Sequence, residues 1–266
     1  MTVDFHSHVI VGDASPPPAM TGEPFDPERI LAETGVDHVV VSPWVTLLGS
    51  EHRARNEALA GLVGERVSAL GTIPLDEPDE LRAVLDAGLV GVEVPASVDG
   101  VYLGDERFEP FWAAAAELGA LVFVHPTTRA FDLPEYHMWN TVGNPFETTI
   151  AAAHMVGAGV LERHADLRVI LAHGGGALPA LRGRLRRAAT VQGRADPEAS
   201  IRRFYFDTVT HDPDVLRELA AFAGADRIVL GTDHPFDMGD PDPLATIRAA
   251  GLDPDALGAN AERLLA

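Results

Sequence analysis

The 266-residue chain carries 40 acidic and 20 basic side chains, a net charge of −20, with 46% hydrophobic residues. That charge repels phosphate backbones and argues against nucleic acid as a partner. The absence of cysteine excludes disulfides, thiolate nucleophiles and cysteine-held zinc, and the absence of lysine excludes Schiff-base chemistry and a carboxylated-lysine metal bridge.

Apolar, β-branched runs alternate with helical patterns from end to end. In chain order, strands are predicted over residues 2–5, 38–42, 67–72, 90–94, 121–124, 168–172, 204–207 and 227–231. Helices are predicted between them over 27–34, 51–63, 78–87, 109–118, 145–163, 178–189, 213–223 and 243–250, with a closing helix near 254–264. Three helices begin with an Asp cap followed by Pro at the first helical position: Asp26-Pro27, Asp212-Pro213 and Asp242-Pro243. Eight strands separated by helices imply a parallel sheet with right-handed crossovers. No GxGxxG follows the first strand, so a doubly wound open sheet is the weaker choice. The expected fold is a single-domain α/β (β/α)8 TIM-type barrel over residues 1–266, since such barrels take roughly 250 residues. The Pro-rich stretch 15–18 is expected to be a loop over the site. No apolar stretch approaches the roughly 20 residues of a membrane span, and the first strand begins without a basic-plus-apolar leader. A cytoplasmic protein with no membrane partner is therefore expected.

The chemistry gathers where barrel enzymes keep it, at the C-terminal ends of strands. His6 and His8 stand two apart after the first apolar run, a spacing that places both imidazoles on one face of a strand. His125 ends strand five, His173 ends strand six before three glycines, Asp207 and His211 follow strand seven, and Asp233 and His234 follow strand eight. His6, His8, His125 and Asp233 make a nitrogen-rich set suited to zinc and tolerable to manganese or iron. One divalent ion per chain is expected, with zinc first and manganese second. Three imidazoles and a carboxylate leave a position for water, which a divalent ion acidifies toward neutral pH. Asp233 is then both a ligand and a proton acceptor. His173 is expected to be a general acid/base, with a fifth metal ligand as the other option. The glycines after it permit tight backbone approach. Trp44 and Trp139 fall in predicted pocket loops and suit stacking on a planar substrate. His211 and His234 are candidates for orienting substrate or ligand.

The series His6-Ser7-His8, Val124-His125-Pro126, AHGGGALP at 172–179 and GTDHPF at 231–236 resembles the amidohydrolase superfamily, in its branch around aminocarboxymuconate semialdehyde decarboxylase. The stretches 144–154 (NPFETTIAAAH), 206–216 (FDTVTHDPDVL) and 260–264 (NAERL) support the resemblance, which covers essentially the whole chain. It implies that His6, His8, His125 and Asp233 hold a metal, usually zinc, and that His173 activates the metal-bound water. It implies further that Arg184, eleven residues after His173, reaches a substrate carboxylate in the neighbouring subunit of a homodimer. Two features depart from the branch. Its second substrate arginine lies between strands one and two, where this chain offers only Arg29, and its HPWD-like loop reads His125-Pro126-Thr127-Thr128 here. Arg129 is a candidate replacement. The reading is a metal-dependent decarboxylase (a C–C lyase) of a small unsaturated or aromatic carboxylic acid. The alternative is a hydrolase of a lactone, ester or amide using the same site. A non-catalytic metal-binding protein ranks last, because no ligand or acid/base group is missing.

Overall fold

The computed structural model of the chain describes residues 1–11, 26–44, 51–127 and 131–266. Eight parallel strands follow one another in sequence: β1 (Val3–Val9), β2 (His38–Pro43), β3 (Val67–Ala69), β4 (Gly91–Pro95), β5 (Leu121–His125), β6 (Arg168–Leu171), β7 (Tyr205–Asp207) and β8 (Ile228–Val229). Continuous ladders join β1–β2–β3 and β4–β5–β6–β7–β8. Isolated parallel bridges, Gly71 with Val92 at one seam and Asp4 with Leu230 and Ser7 with His234 at the other, connect these sheets into a ring. At those seams Glu93 N–H donates to Gly71 O at 2.9 Å and Phe5 N–H donates to Leu230 O at 2.8 Å. The fold is a TIM-type barrel.

Parallel strands covered on both faces read as nearly continuous apolar runs, and their period-two alternation divides two cores. Val3, Phe5, Val40, Leu70, Leu121, Phe123, Ile170 and Val229 pack inside the barrel. Val39, Val41, Val92, Val94, Val122, Val124, Val169 and Leu171 face the surrounding helices instead. Those helices are α1 (Pro27–Thr34), α2 (His52–Ala60), α3 (Glu80–Asp86), α4 (Glu109–Leu118), α5 (Asn144–Ala158), α6 (Leu178–Val191), α7 (Pro213–Ala223), α8 (Pro243–Ala249) and α9 (Pro254–Leu265). Ala261 and Leu264 of α9 complete the inner core.

The Asp-Pro starts work as expected. The side chains of Asp26, Asp212 and Asp242 accept from Arg29 N–H, from Asp214 and Val215 N–H, and from Ala245 N–H. Asp253-Pro254 is a fourth, accepting from Asp255 N–H at the head of α9. The predicted helix over 145–163 is two helices, because Gly159 adopts φ 74° and ends α5 before the turn Val160–Arg163. The last strand is shorter than expected, since Leu230 leaves the β7 ladder to bridge Asp4 across the seam. The proline-rich stretch 15–18 and Arg129 lie outside the described residues. Among the described residues, no helix is long and apolar enough to cross a membrane.

Candidate metal centre

The first strand does not end at Phe5. It runs on through both histidines, and its pairing with β2 shifts register between Asp4 and Ser7. Such a bulge changes which residues face inward. Phe5 packs in the inner core, yet His6 also turns inward, its ring 4.9 Å from Phe123. The His8 and His125 rings lie 4.8 Å apart at the same mouth of the barrel. Asp233 arrives from the far side of the seam, where its N–H donates to His6 O at 2.7 Å and its φ of 59° turns the side chain over the histidines.

Four stretches far apart in sequence therefore converge. Asp233 Oδ1 is 3.3 Å from His6 Nε2 and 3.4 Å from His8 Nε2, and its Oδ2 is 3.6 Å from His173 Nε2. His6, His125, His173 and Asp233 each offer a ligand atom within 4.8 Å of every other. The Nε2 atoms of His6, His8 and His125 are buried without a hydrogen-bond partner among the described residues. Buried polar nitrogens are normally satisfied, so three aimed at one point fit a shared cation.

Behind the rings lie the groups that aim them. Asp207, fully buried, accepts from His6 Nδ1 at 2.6 Å, from His173 N–H at 3.0 Å, from Gly174 N–H at 2.7 Å and from Val209 N–H at 3.1 Å. With Nδ1 protonated, His6 presents its Nε2 lone pair to the centre. His8 Nδ1 meets Ser42 Oγ at 3.2 Å, and His125 Nδ1 meets Pro126 O at 3.0 Å. Asp4 accepts from the Ser7 hydroxyl, from Thr232 Oγ1 at 2.7 Å and from His6 N–H at 2.9 Å, tying β1 to the loop that bears Asp233. Glu147 of α5 accepts from Thr127 N–H at 2.8 Å and Thr127 Oγ1 at 2.6 Å, fixing the rim just past His125.

The electrostatics fit a dication. Asp4, Glu93, Asp207 and Asp233 are all buried, and among the described residues none of them pairs with an arginine. Buried charges persist only when paired or coordinated. Burial alone would push the His6 imidazole down, but Asp233 and Asp207 on either side outweigh it and raise it to about 10. The same field that holds a proton there favours a metal ion. Burial, together with the neighbouring His8, His6 and His173, holds His125 well below its ordinary value, so it stands neutral as a ligand must. Burial would raise the Asp233 carboxyl, yet His6 and His173 beside it hold it far below the usual range.

A cavity of about 1100 Å³ opens from His173 and Asp233 and is lined further out by His211, Arg182, Arg186 and Phe222. His211 is exposed there, at φ 57°. Trp44 is half-buried with its ring 6.5 Å from Phe236, which in turn lies 5.4 Å from His8. Trp139 sits in a π-helical turn (Trp139–Gly143) beside His137, while its neighbours Asn140 and Thr141 line the cavity. Arg184 is exposed on α6 and has no hydrogen-bond or ion-pair partner among the described residues. His234 turns away to α1, where its Nε2 meets Glu33 Oε2 at 2.6 Å. The sequence reading passed over Asp4, Glu93 and Glu147. A charged residue in an apolar buried strand was the available signal for Asp4 and Glu93.

Residues 3–266 match the family described as Amidohydrolase. The chain is 33% identical over 202 residues to 2-amino-3-carboxymuconate-6-semialdehyde decarboxylase of Dictyostelium discoideum, covering 70% of this chain and 56% of that protein. It thus spans about half the length of such curated relatives. The crystal structure of 5-carboxyvanillate decarboxylase from Sphingomonas paucimobilis superposes with a TM-score of 0.84 at 24% identity, over 99% of this chain and 98% of that one. A dihydroxybenzoic acid decarboxylase from Polaromonas sp. JS666, with bound manganese and the inhibitor 2-nitroresorcinol, superposes with a TM-score of 0.83 at 21% identity, over 99% and 96%. At those identities the two structures speak for the fold.

Proposed function

The chain belongs to the amidohydrolase family, and from that premise we propose that it is a metal-dependent decarboxylase of a small aromatic or unsaturated carboxylic acid. The observation that carries this reading is the convergence of His6, His8, His125 and Asp233 with His173 beside them, at the head of a cavity large enough for an aromatic acid. The names of the relatives, decarboxylases of carboxymuconate and benzoate-type acids, support a lyase over a hydrolase. A divalent ion bound there supplies Lewis-acid polarisation and a template for the substrate oxygens. Zinc suits three imidazoles and one carboxylate, and the manganese of the Polaromonas protein makes that ion the second choice.

The protein's own groups divide the remaining work. His173 Nε2 faces Asp233 and the cavity, placed to carry a proton to the substrate carbon that bears the carboxylate. That carbon gains a C–H bond, the C–C bond to the carboxylate breaks, and its electron pair returns to the substrate as carbon dioxide leaves. Asp233, its Oδ2 3.6 Å from His173 Nε2, helps to hold that ring in place. Arg184, unpartnered among the described residues, is the argument for a homodimer in which it serves the neighbouring site.

The test is a panel of small aromatic and muconate-type acids and lactones, with carbon dioxide release and ring opening followed separately. The protein should carry about one divalent ion per chain and release carbon dioxide from at least one acid. His173→Ala should keep its metal and lose roughly 10²–10⁴ in rate. Ring opening without carbon dioxide would transfer the reading to the hydrolase, and loss of metal from His173→Ala would make His173 a ligand.

A further inference from the structure

Glu93 occupies the centre of β4, whose sequence is Gly-Val-Glu-Val-Pro. Both faces of a barrel strand are covered, so a carboxylate there has no route to water. Glu93 is fully buried, and among the described residues neither of its oxygens has a hydrogen-bond partner of ordinary geometry, although the Ser42 hydroxyl is near enough to favour its charged form. Leaving such a group unpaired costs free energy, and its position suggests what the cost supports. Glu93 Oε2 lies 3.7 Å from His8 Nδ1, and Glu93 Oε1 lies 3.7 Å from His125 Nδ1. Among the described residues, of the three rings proposed as ligands these are the two that lack a charged acceptor behind them. His6 has Asp207 at 2.6 Å, whereas, among the described residues, His8 has only the Ser42 hydroxyl and His125 only the Pro126 carbonyl within hydrogen-bond distance of Nδ1. In register, Glu93 sits opposite Phe123, one layer beneath His125. One carboxylate thus spans the backs of two rings, an oxygen to each.

We infer that Glu93 is a positioning residue of the metal centre: its two oxygens take the Nδ1–H groups of His8 and His125 as the rings settle on a cation, keeping both Nε2 lone pairs aimed at it. The inference rests on the metal reading of the preceding subsection. It has a consequence that a purely structural residue lacks. Without a cation Glu93 is an unpaired buried carboxylate and weakens the fold, and with one it strengthens binding.

The experiment compares the parent protein with Glu93→Gln and Glu93→Met. Each is stripped of metal, titrated with zinc and with manganese against a competing chelator, and melted with and without metal. Glu93→Met should melt at or above the metal-free parent, because removing an unpaired buried polar group is neutral or stabilising, and Glu93→Gln should melt no lower than the parent, because it exchanges a buried charge for a neutral amide. Both should bind zinc about 10–100-fold more weakly, the range for lost partners behind metal ligands. Glu93→Gln keeps one acceptor and should lose less, and being isosteric it carries the test should Glu93→Met not fold. Unchanged affinity in a folded variant overturns the inference alone. So does metal-free Glu93→Gln melting below the parent in step with weaker binding, which marks a structural residue. A parent that takes up neither ion overturns the metal reading and this inference with it.

Discussion

Asp207 places a single carboxylate against four donors, and two of them belong to the site: the His6 ring and the His173 backbone. Burial would raise its pKa, but the hydrogen bond from His6, the charges of His6 and His173 and the Gly174 amide outweigh that and hold it low. A charge-assisted hydrogen bond of this kind contributes about 1.5–3 kcal/mol. Asp207→Asn keeps the shape, yet an amide presents N–H to at least one donor it must accept. Zinc affinity in that variant is expected to fall about 10–100-fold, with a parallel fall in turnover, read by chelator competition. Parent-like affinity would mean that His6 is oriented by packing alone. In the sequence Asp207 is visible as a polar residue ending a strand. Its pairing with His6, 201 positions away, is not, because periodicity reports which face a residue occupies and nothing about what waits there. The histidines were easier to read, since HxH carries its geometry within three residues.

Among the elements, α1, α4 and α7 end where the sequence places them, each with proline in its first turn and a local signal at both ends. The strands were located but not bounded. β1 runs four residues past its predicted end, since a bulge allows polar residues to continue a buried ladder. The turn after β6 shows how tightly elements are geared at the rim. Gly176 lies at φ 58°, and a Cβ there would stand 2.0 Å from Pro145 O and 2.6 Å from Thr149 Oγ1. Both belong to the first turns of α5, which through Glu147 also fixes Thr127 beside His125. Gly176→Ala should therefore displace α5, destabilise the protein by about 2–4 kcal/mol and loosen the metal through His125. Gly183, inside α6 with open space around it, is the control. Gly183→Ala should stabilise by about 0.5–1 kcal/mol, as helix propensity dictates. Thermal melts of the two variants separate the cases, and a Gly176→Ala protein with the parent midpoint would show that α5 yields without cost.

For the molecule as a whole, the alternation of strands and helices made the barrel legible. Its closure was not, because β8 has two residues and both seams rest on isolated bridges that no local pattern announces. The net charge of −20 bears on how such a ring responds to acid. Two effects compete as pH falls below about 5, where carboxylates titrate. Protonating surface carboxylates relieves self-repulsion, which favours the fold. Against this, many carboxylates are held by partners in the folded state only. Hydrogen bonds from Arg29 lower Glu33, those of Thr2 lower Asp37, and those of Arg53 and Arg202 lower Glu80 and Glu198. Glu109, clamped by Arg163 with help from His164, falls to about 2. A depressed folded-state pKa contributes stability that is complete above the unfolded value and disappears as pH falls through the folded one. The second effect therefore takes over below about pH 4.3, where unfolded carboxylates begin to bind protons. Melting midpoints of the metal-free protein should decline gradually from about pH 5 toward pH 2. The decline should be gradual because each pair faces solvent and is screened. Glu109→Gln should flatten its lowest part, where Glu109 is the last of these groups to take a proton. A midpoint that holds or rises down to pH 3 would mean that relief of repulsion outweighs the paired carboxylates.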